Sequence, residues 1–285
     1  MAVNLAILAG CCFAISHILI RRGMIQSNAL TASVISLAIS TAVSWLLVAI
    51  WVPWDALWSP ALWYFIIAGV FAPGLGRTLN FVGIERIGVA RSVPIVNSSP
   101  ILASIFAVYF LAEIWLFQNI VGTILVIVGV VILSSGKPAN GQWRKMDVIY
   151  PLLGAISFAI SSTLRKAGLG VDNIPMVAAA ATATVGFFFT AALLQANGGK
   201  KIFLLPRNAL GWQLAAGAFN TAAMLGVFYA LSIGKLVIVE PIVAANPVLS
   251  VVFTAVFLRD LESISARVVV GAVCTVAGTL LVITV

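Results

Sequence analysis

Apolar runs of about 20 residues follow one another along the chain, each closed by a short polar stretch, and none shows the period-two alternation of a membrane barrel strand. The runs at 120–133 and 236–258 are typical. A run of that length crosses a bilayer as a helix, and the pattern predicts ten spans, at 4–20, 30–52, 58–84, 89–110, 118–134, 148–165, 174–195, 210–233, 236–257 and 267–285. The breaks are chemically legible. Residues 21–28 are polar, 53–60 set Asp55 among prolines and interfacial tryptophans, and 136–147 form the longest polar linker. That linker divides the chain into two five-span halves, 1–135 and 148–285.

Composition sharpens this reading: 62% of the 285 residues are hydrophobic and 8% are charged, more apolar surface than a water-soluble domain can hide. No basic stretch precedes the first run, and Arg21 and Arg22 come after it, so a retained span is expected there rather than a cleaved signal. The formal charge of +8 is scattered over loops, without the basic helix or aromatic-basic surface of a nucleic-acid reader. It speaks instead about topology. With ten spans, 12 basic residues flank the odd-numbered loops (Arg21, Arg22, Arg86, Arg91, Lys137, Arg144, Lys145, Lys200, Lys201, Arg207, Arg259, Arg267) and 3 face the other way (Arg165, Lys166, Lys235). The excess predicts cytoplasmic odd loops and external termini. Tags at Gly141 and Asn197 are therefore expected to be reached only from the cytoplasm, and external labelling of both would overturn the orientation.

Cys11, Cys12 and Cys274 lie in apolar runs without metal or redox spacing. Neither a Walker motif, a Gly-x-Ser-x-Gly elbow nor a His-Glu-x-x-His zinc motif occurs, so no cofactor, metal or enzyme chemistry is expected.

An internal repeat runs through both halves. Phe13-Ala14-Ile15-Ser16 recurs as Phe158-Ala159-Ile160-Ser161, offset 145, and Gly23 falls on Gly168. Pro94, Pro100, Phe106, Phe110, Leu111 and Glu113 fall on Pro241, Pro247, Phe253, Phe257, Leu258 and Asp260, offset 147. Gly122 and Gly129 fall on Gly271 and Gly278, offset 149. Five spans is an odd number, so the second half enters the membrane in the opposite sense. Inverted repeats of this kind let two pseudo-symmetric states present one midplane site to either side in turn.

The residues that carry a resemblance are Pro94 to Pro100, Phe110-Leu111-Ala112-Glu113, Gln118, Gly122 and Gly129, then Phe228-Tyr229-Ala230-Leu231, Pro247, Gly271 and Gly278. They resemble the drug/metabolite transporter superfamily in its ten-span EamA-type branch, and within it most the YddG-type amino-acid exporters. The resemblance implies an all-α integral membrane fold, ten helices as two inverted five-helix repeats around a central cavity. It departs from the family where Arg259-Asp260-Leu261-Glu262 stands for a single acidic residue at the end of the ninth span.

Candidate transport residues are the polar groups inside spans. Pro94, Pro100, Pro241 and Pro247 are hinge or kink candidates; prolines kink packed helices in the plainer reading, and their duplication favours a cavity lined by freed carbonyls. Asn97, Ser98, Ser99 and Asn246 accompany them. Ser16 and His17 in the first span, with Ser161 and Ser162 in the sixth, form a second constellation that serves either close packing or, through the sole histidine, proton coupling. Arg77 either meets a substrate carboxylate or snorkels to headgroups. Glu240 is within helical reach of Lys235 in sequence, and a local ion pair is expected. Asn80, Asn220 and Tyr229 complete the set, with Thr221 beside Asn220. The function expected is a secondary transporter of the cytoplasmic membrane that exports small metabolites, foremost aromatic or neutral amino acids, with membrane lipid and the solute as partners. A lipid or lipid-linked metabolite flippase and a sugar-phosphate-type carrier remain alternatives.

Overall fold

The computed structural model describes residues 1–24, 29–87, 95–96, 98–134, 145–196, 207–246, 248 and 266–283. Eleven helices are defined among them: α1 Ala2–Met24, α2 Ala29–Trp51, α3 Leu62–Gly69, α4 Gly76–Ile87, α5 Ser99–Leu111, α6 Phe117–Ser134, α7 Ile149–Val171, α8 Pro175–Ala196, α9 Arg207–Ile233, α10 Leu236–Ala244 and α11 Ala266–Ile283. No strand occurs among the described residues.

Large apolar side chains face outward as well as inward, and hydroxyls are buried among the helices. Leu46, Ile50, Phe188 and Val273 are each at least 60% exposed, while Ser16, Ser40, Thr182 and Thr275 are sealed inside. That is the arrangement lipid imposes, since apolar side chains gain nothing by hiding from hydrocarbon and hydroxyls must find partners within the bundle. Trp51, Trp54, Trp58 and Trp63 stand exposed around the 3₁₀ turn Trp54–Trp58. Tyr109, Phe110 and Phe117 do the same at the next connection, an aromatic belt at the headgroup level of that face.

Packing follows the repeat. The first span, α1, runs along α9, the eighth; the sixth, α7, runs along α3 and α4, the third. The second and seventh spans, α2 and α8, pair with each other, as do the fifth and tenth, α6 and α11. Each half thus seats its opening helix on the other half's third span. The centre of the bundle is aromatic and aliphatic: Phe65 meets Phe228 edge to face, centroids 6.3 Å apart, beside buried Leu231, Leu236 and Val237. The α6–α11 pair approaches closely: a Cβ at Gly129 would collide with Thr275 and lie 2.7 Å from the Gly271 carbonyl oxygen.

Three sequence expectations need correction. The sixth span does not stop at residue 165; α7 continues to Val171 and carries Arg165 and Lys166 inside it. Neither belongs to a loop, and by the same measure Arg21, Arg22, Arg86, Arg207 and Arg267 of the opposite set lie at helix ends rather than in loops. The third span is not one helix. After α3 the backbone passes through a π turn, Val70–Leu75, in which Ala72 is extended (φ −149°, ψ 126°), and α4 restarts at Gly76. Gly186 of α8 makes room for the break, because a side chain there would occupy the space of Pro73. Pro100, expected within the fourth span, lies in the first turn of α5, where a missing N–H leaves no bond unmade.

Candidate functional site

Helix breaks free backbone carbonyls, and at membrane depth each must be met by protein or by a cavity. In the third span the partners come from α7. Ser161 donates its hydroxyl to the carbonyls of Ala68 (2.8 Å) and Ala72 (3.2 Å), and Arg165 Nη2 donates to Ala72 at 2.7 Å. The repeat mate of Ser161, Ser16 on α1, donates to the Ala216 carbonyl of α9 at 2.8 Å. Both serines tie an opening helix to the third span of the opposite half.

The fourth and ninth spans carry a second matched pair. Ser98 N–H donates to Ile95 C=O and Ile101 N–H to Ser98 C=O; Ala245 N–H donates to Ile242 C=O and Val248 N–H to Ala245 C=O. These bonds superimpose at the offset of 147 read from the sequence. Each tight turn is braced by a polar side chain reaching back three residues, Ser98 Oγ to Ile95 at 2.6 Å and Asn246 Nδ2 to Val243 at 3.0 Å. Pro100 keeps the first turn tight, since it offers no N–H to the carbonyl of Val96. Ser99 opens α5 beside it, and Pro241 lies buried inside α10.

Charge gathers around the same spans. Arg77 sits at the start of α4, partly exposed, and has no hydrogen-bond or ion-pair partner among the described residues. Arg165 lies over the Phe228 ring at 5.3 Å. Ser162 lies buried on the same helix, one turn before Arg165's neighbour Lys166. No ion pair joins Glu240 to Lys235 among the described residues: the two are five positions apart, beyond the three or four that bring helix side chains together, and Lys235 is the exposed N-cap of α10. At the membrane surface the Glu113 carboxylate accepts the free amides of Leu236 (2.9 Å) and Val237 (3.0 Å) at the N-terminus of α10. Lys166 Nζ donates to the Leu231 (2.8 Å) and Gly234 (2.6 Å) carbonyls at the end of α9, each charge matching the helix end it meets.

The predicted residues thus separate into groups. Ser16 and Ser161 are structural ties, and Asn220 joins Thr221 and Ser40 in a buried link between α9 and α2, with Asn220 Nδ2 3.2 Å from Ser40 Oγ. Ser98, Ser99, Pro100 and Asn246 mark the two matched breaks, Arg77 opens α4, and Ser162 is buried on α7 beside Ser161. Asn80 faces α7 near Gly154, and Tyr229 lies on α9, one position beyond the Phe228 that carries Arg165. His17's side chain, Pro94, Asn97 and Pro247 lie outside the described residues. Sequence reasoning missed Arg165, Lys166 and Glu113. The basic pair reads as a loop, and only the length of α7 and the carbonyls waiting on other spans place it inside.

An all-helical bundle with lipid-facing apolar surface, interlocked inverted repeats and matched helix breaks is the architecture of a membrane transporter. The EamA-like transporter family signature matches residues 1–135 and 145–284, and the chain belongs to that family, a ten-span fold of two repeats within the drug/metabolite transporter superfamily. Among curated proteins nothing matches. A solved structure titled "Crystal structure of protein" shares the fold, with a TM-score of 0.77 and 17% identity over 98% of this chain and 95% of the other.

Proposed function

We propose that this transporter moves small metabolites, amino acids first among them, out across the cytoplasmic membrane by alternating access. The observation that carries the reading is the pair of repeat-matched turns at Ser98 and Ala245, which interrupt the fourth and ninth spans with the same hydrogen bonds. Discontinuous helices related by an inverted repeat are where secondary transporters bind solute, because unwound backbone supplies polar groups that lipid would otherwise forbid. An amino acid also needs a cation for its carboxylate, and Arg77 is a guanidinium at membrane depth with none of its donors committed to a described residue.

Purified protein in liposomes tests this directly. Saturable flux in a screen of amino acids, with and without a pH gradient, is expected; headgroup-dependent lipid scrambling without solute flux would establish the flippase alternative instead. Two variants separate binding from motion. Asn246→Ala is expected to raise the half-saturating concentration severalfold with the maximal rate retained, and Pro100→Ala, which restores an N–H that straightens the fourth span, to lower the maximal rate. Wild-type kinetics in both, at equal membrane abundance, would sink the proposed site.

A further inference from the structure

We propose that the Glu113 carboxylate is the latch of a gate on the face of the even-numbered connections, holding the ends of the two broken spans together between transport events; the inference rests on the transport reading above. Helices α5 and α10 each run from a matched turn, at Ser98 and at Ala245, to that face. A tight turn is where a span changes direction, so each helix is hinged at one end. Glu113 joins their other ends.

The join is built by local geometry. Ala112, which closes α5, takes a left-handed conformation (φ 52°), and the Glu113 N–H returns to the Ala107 carbonyl at 3.2 Å. This cap aims the carboxylate across the gap, where its two oxygens accept the free amides of Leu236 (2.9 Å) and Val237 (3.0 Å) on α10. Lys166 holds the other side of the same corner through the Leu231 and Gly234 carbonyls. Glu113 is only partly buried, so water can take over its bonds when α5 and α10 part. Both charges recur in the repeat with their sign: Lys166 falls on Arg21 at offset 145, and Glu113 on Asp260 at offset 147. Inversion sends those mates to the opposite face, where an alternating carrier needs its second gate, and their side chains lie outside the described residues.

Beneath the latch the bundle is closed. Phe65, Ala107, Leu169, Ala178, Leu231 and Leu236 belong to one buried cluster and come from six different spans. Each lies less than two turns of helix from an even-numbered connection. Solute cannot reach the matched turns from this face through such a plug. Parting α5 from α10 opens it, and the two charge-assisted bonds of Glu113 are what that motion must break between the first half and the second.

The whole protein in lipid nanodiscs, with Cys11→Ser, Cys12→Ser and Cys274→Ser, tests the gate through a reporter thiol, Ala107→Cys, placed in the plug. A hydrophilic thiol reagent is expected to label it severalfold faster once Glu113→Gln is added. Gly129→Val, which disturbs the α6–α11 contact elsewhere in the bundle, is expected to leave the rate unchanged. Equal rates with and without Glu113→Gln would overturn the proposal, and so would the same acceleration from Gly129→Val, because general loosening would then suffice. Should the cysteine-free protein fail to fold, a second measurement decides. In liposomes, Glu113→Cys with Lys235→Cys, bridged by a short reducible cross-linker, is expected to lose flux and regain it on reduction; undiminished flux while bridged would mean that the contact never opens, and rejects the gate. If the wild type carries no amino acid at all, the transport reading fails, and the labelling rates alone still decide the gate.

Discussion

Glu113→Ala is expected to destabilise the protein by about 2 kcal/mol or more, the scale of losing a helix cap whose acceptor is charged. Two amides at the start of α10, Leu236 and Val237, would lose their acceptor. No side chain of α10's own N-cap residue, Lys235, replaces it. Lys166 would also lose the negative charge it attracts. Thermal unfolding in detergent measures the loss, and hydrogen exchange should localise it to 235–240. Glu113→Gln, which keeps one acceptor oxygen, is expected to fall between; equal stability of all three proteins would show that the cap contributes nothing.

The second large effect is steric. Gly129→Val is expected to cost at the upper end of the roughly 1–3 kcal/mol typical of overpacking, and to push α6 away from α11. The new Cβ would meet Thr275 and the Gly271 carbonyl, both on the partner helix, and backbone cannot turn aside as a flexible side chain does. Small residues at such crossings are what hold membrane helices together, since lipid offers no hydrophobic drive for their association. Val128→Ala, one position along and 44% exposed, is the control and should leave the unfolding temperature almost unchanged. A thermally normal Gly129→Val would mean that the two helices separate without loss.

The reach of the sequence differs between these features. Span count, inversion and the offset of 147 were all legible, because a bilayer demands long apolar runs and a duplication repeats its prolines and glycines in register. The matched turns at Ser98 and Ala245 were announced by that register. Arg165 and Lys166 were misread because a charged pair is the ordinary sign that a span has ended. What makes them tolerable inside α7 is a set of carbonyls supplied by Ala72, Leu231 and Gly234, on spans far away in sequence. The break in the third span had a local sign, Pro73-Gly74 in the middle of an apolar run. Its seat against Gly186 was not legible, because only the folded chain brings α8 there. Glu113 matched Asp260 in the repeat, yet nothing in either neighbourhood names the helix end it serves.

The even-numbered connections are short: 172–174 has three residues, 234–235 two, and 112–116 five. The last two are pinned by Lys166 and Glu113. Such a face offers little purchase to proteases or antibodies, which need a length of pliable chain to grip. Binders raised against intact cells displaying that face should therefore converge on the tryptophan-bearing segment at 53–60, the longest stretch of chain that it presents among the described residues. A reagent that holds this segment would act as an external wedge at the join between α2 and α3, a handle for trapping one conformation for imaging.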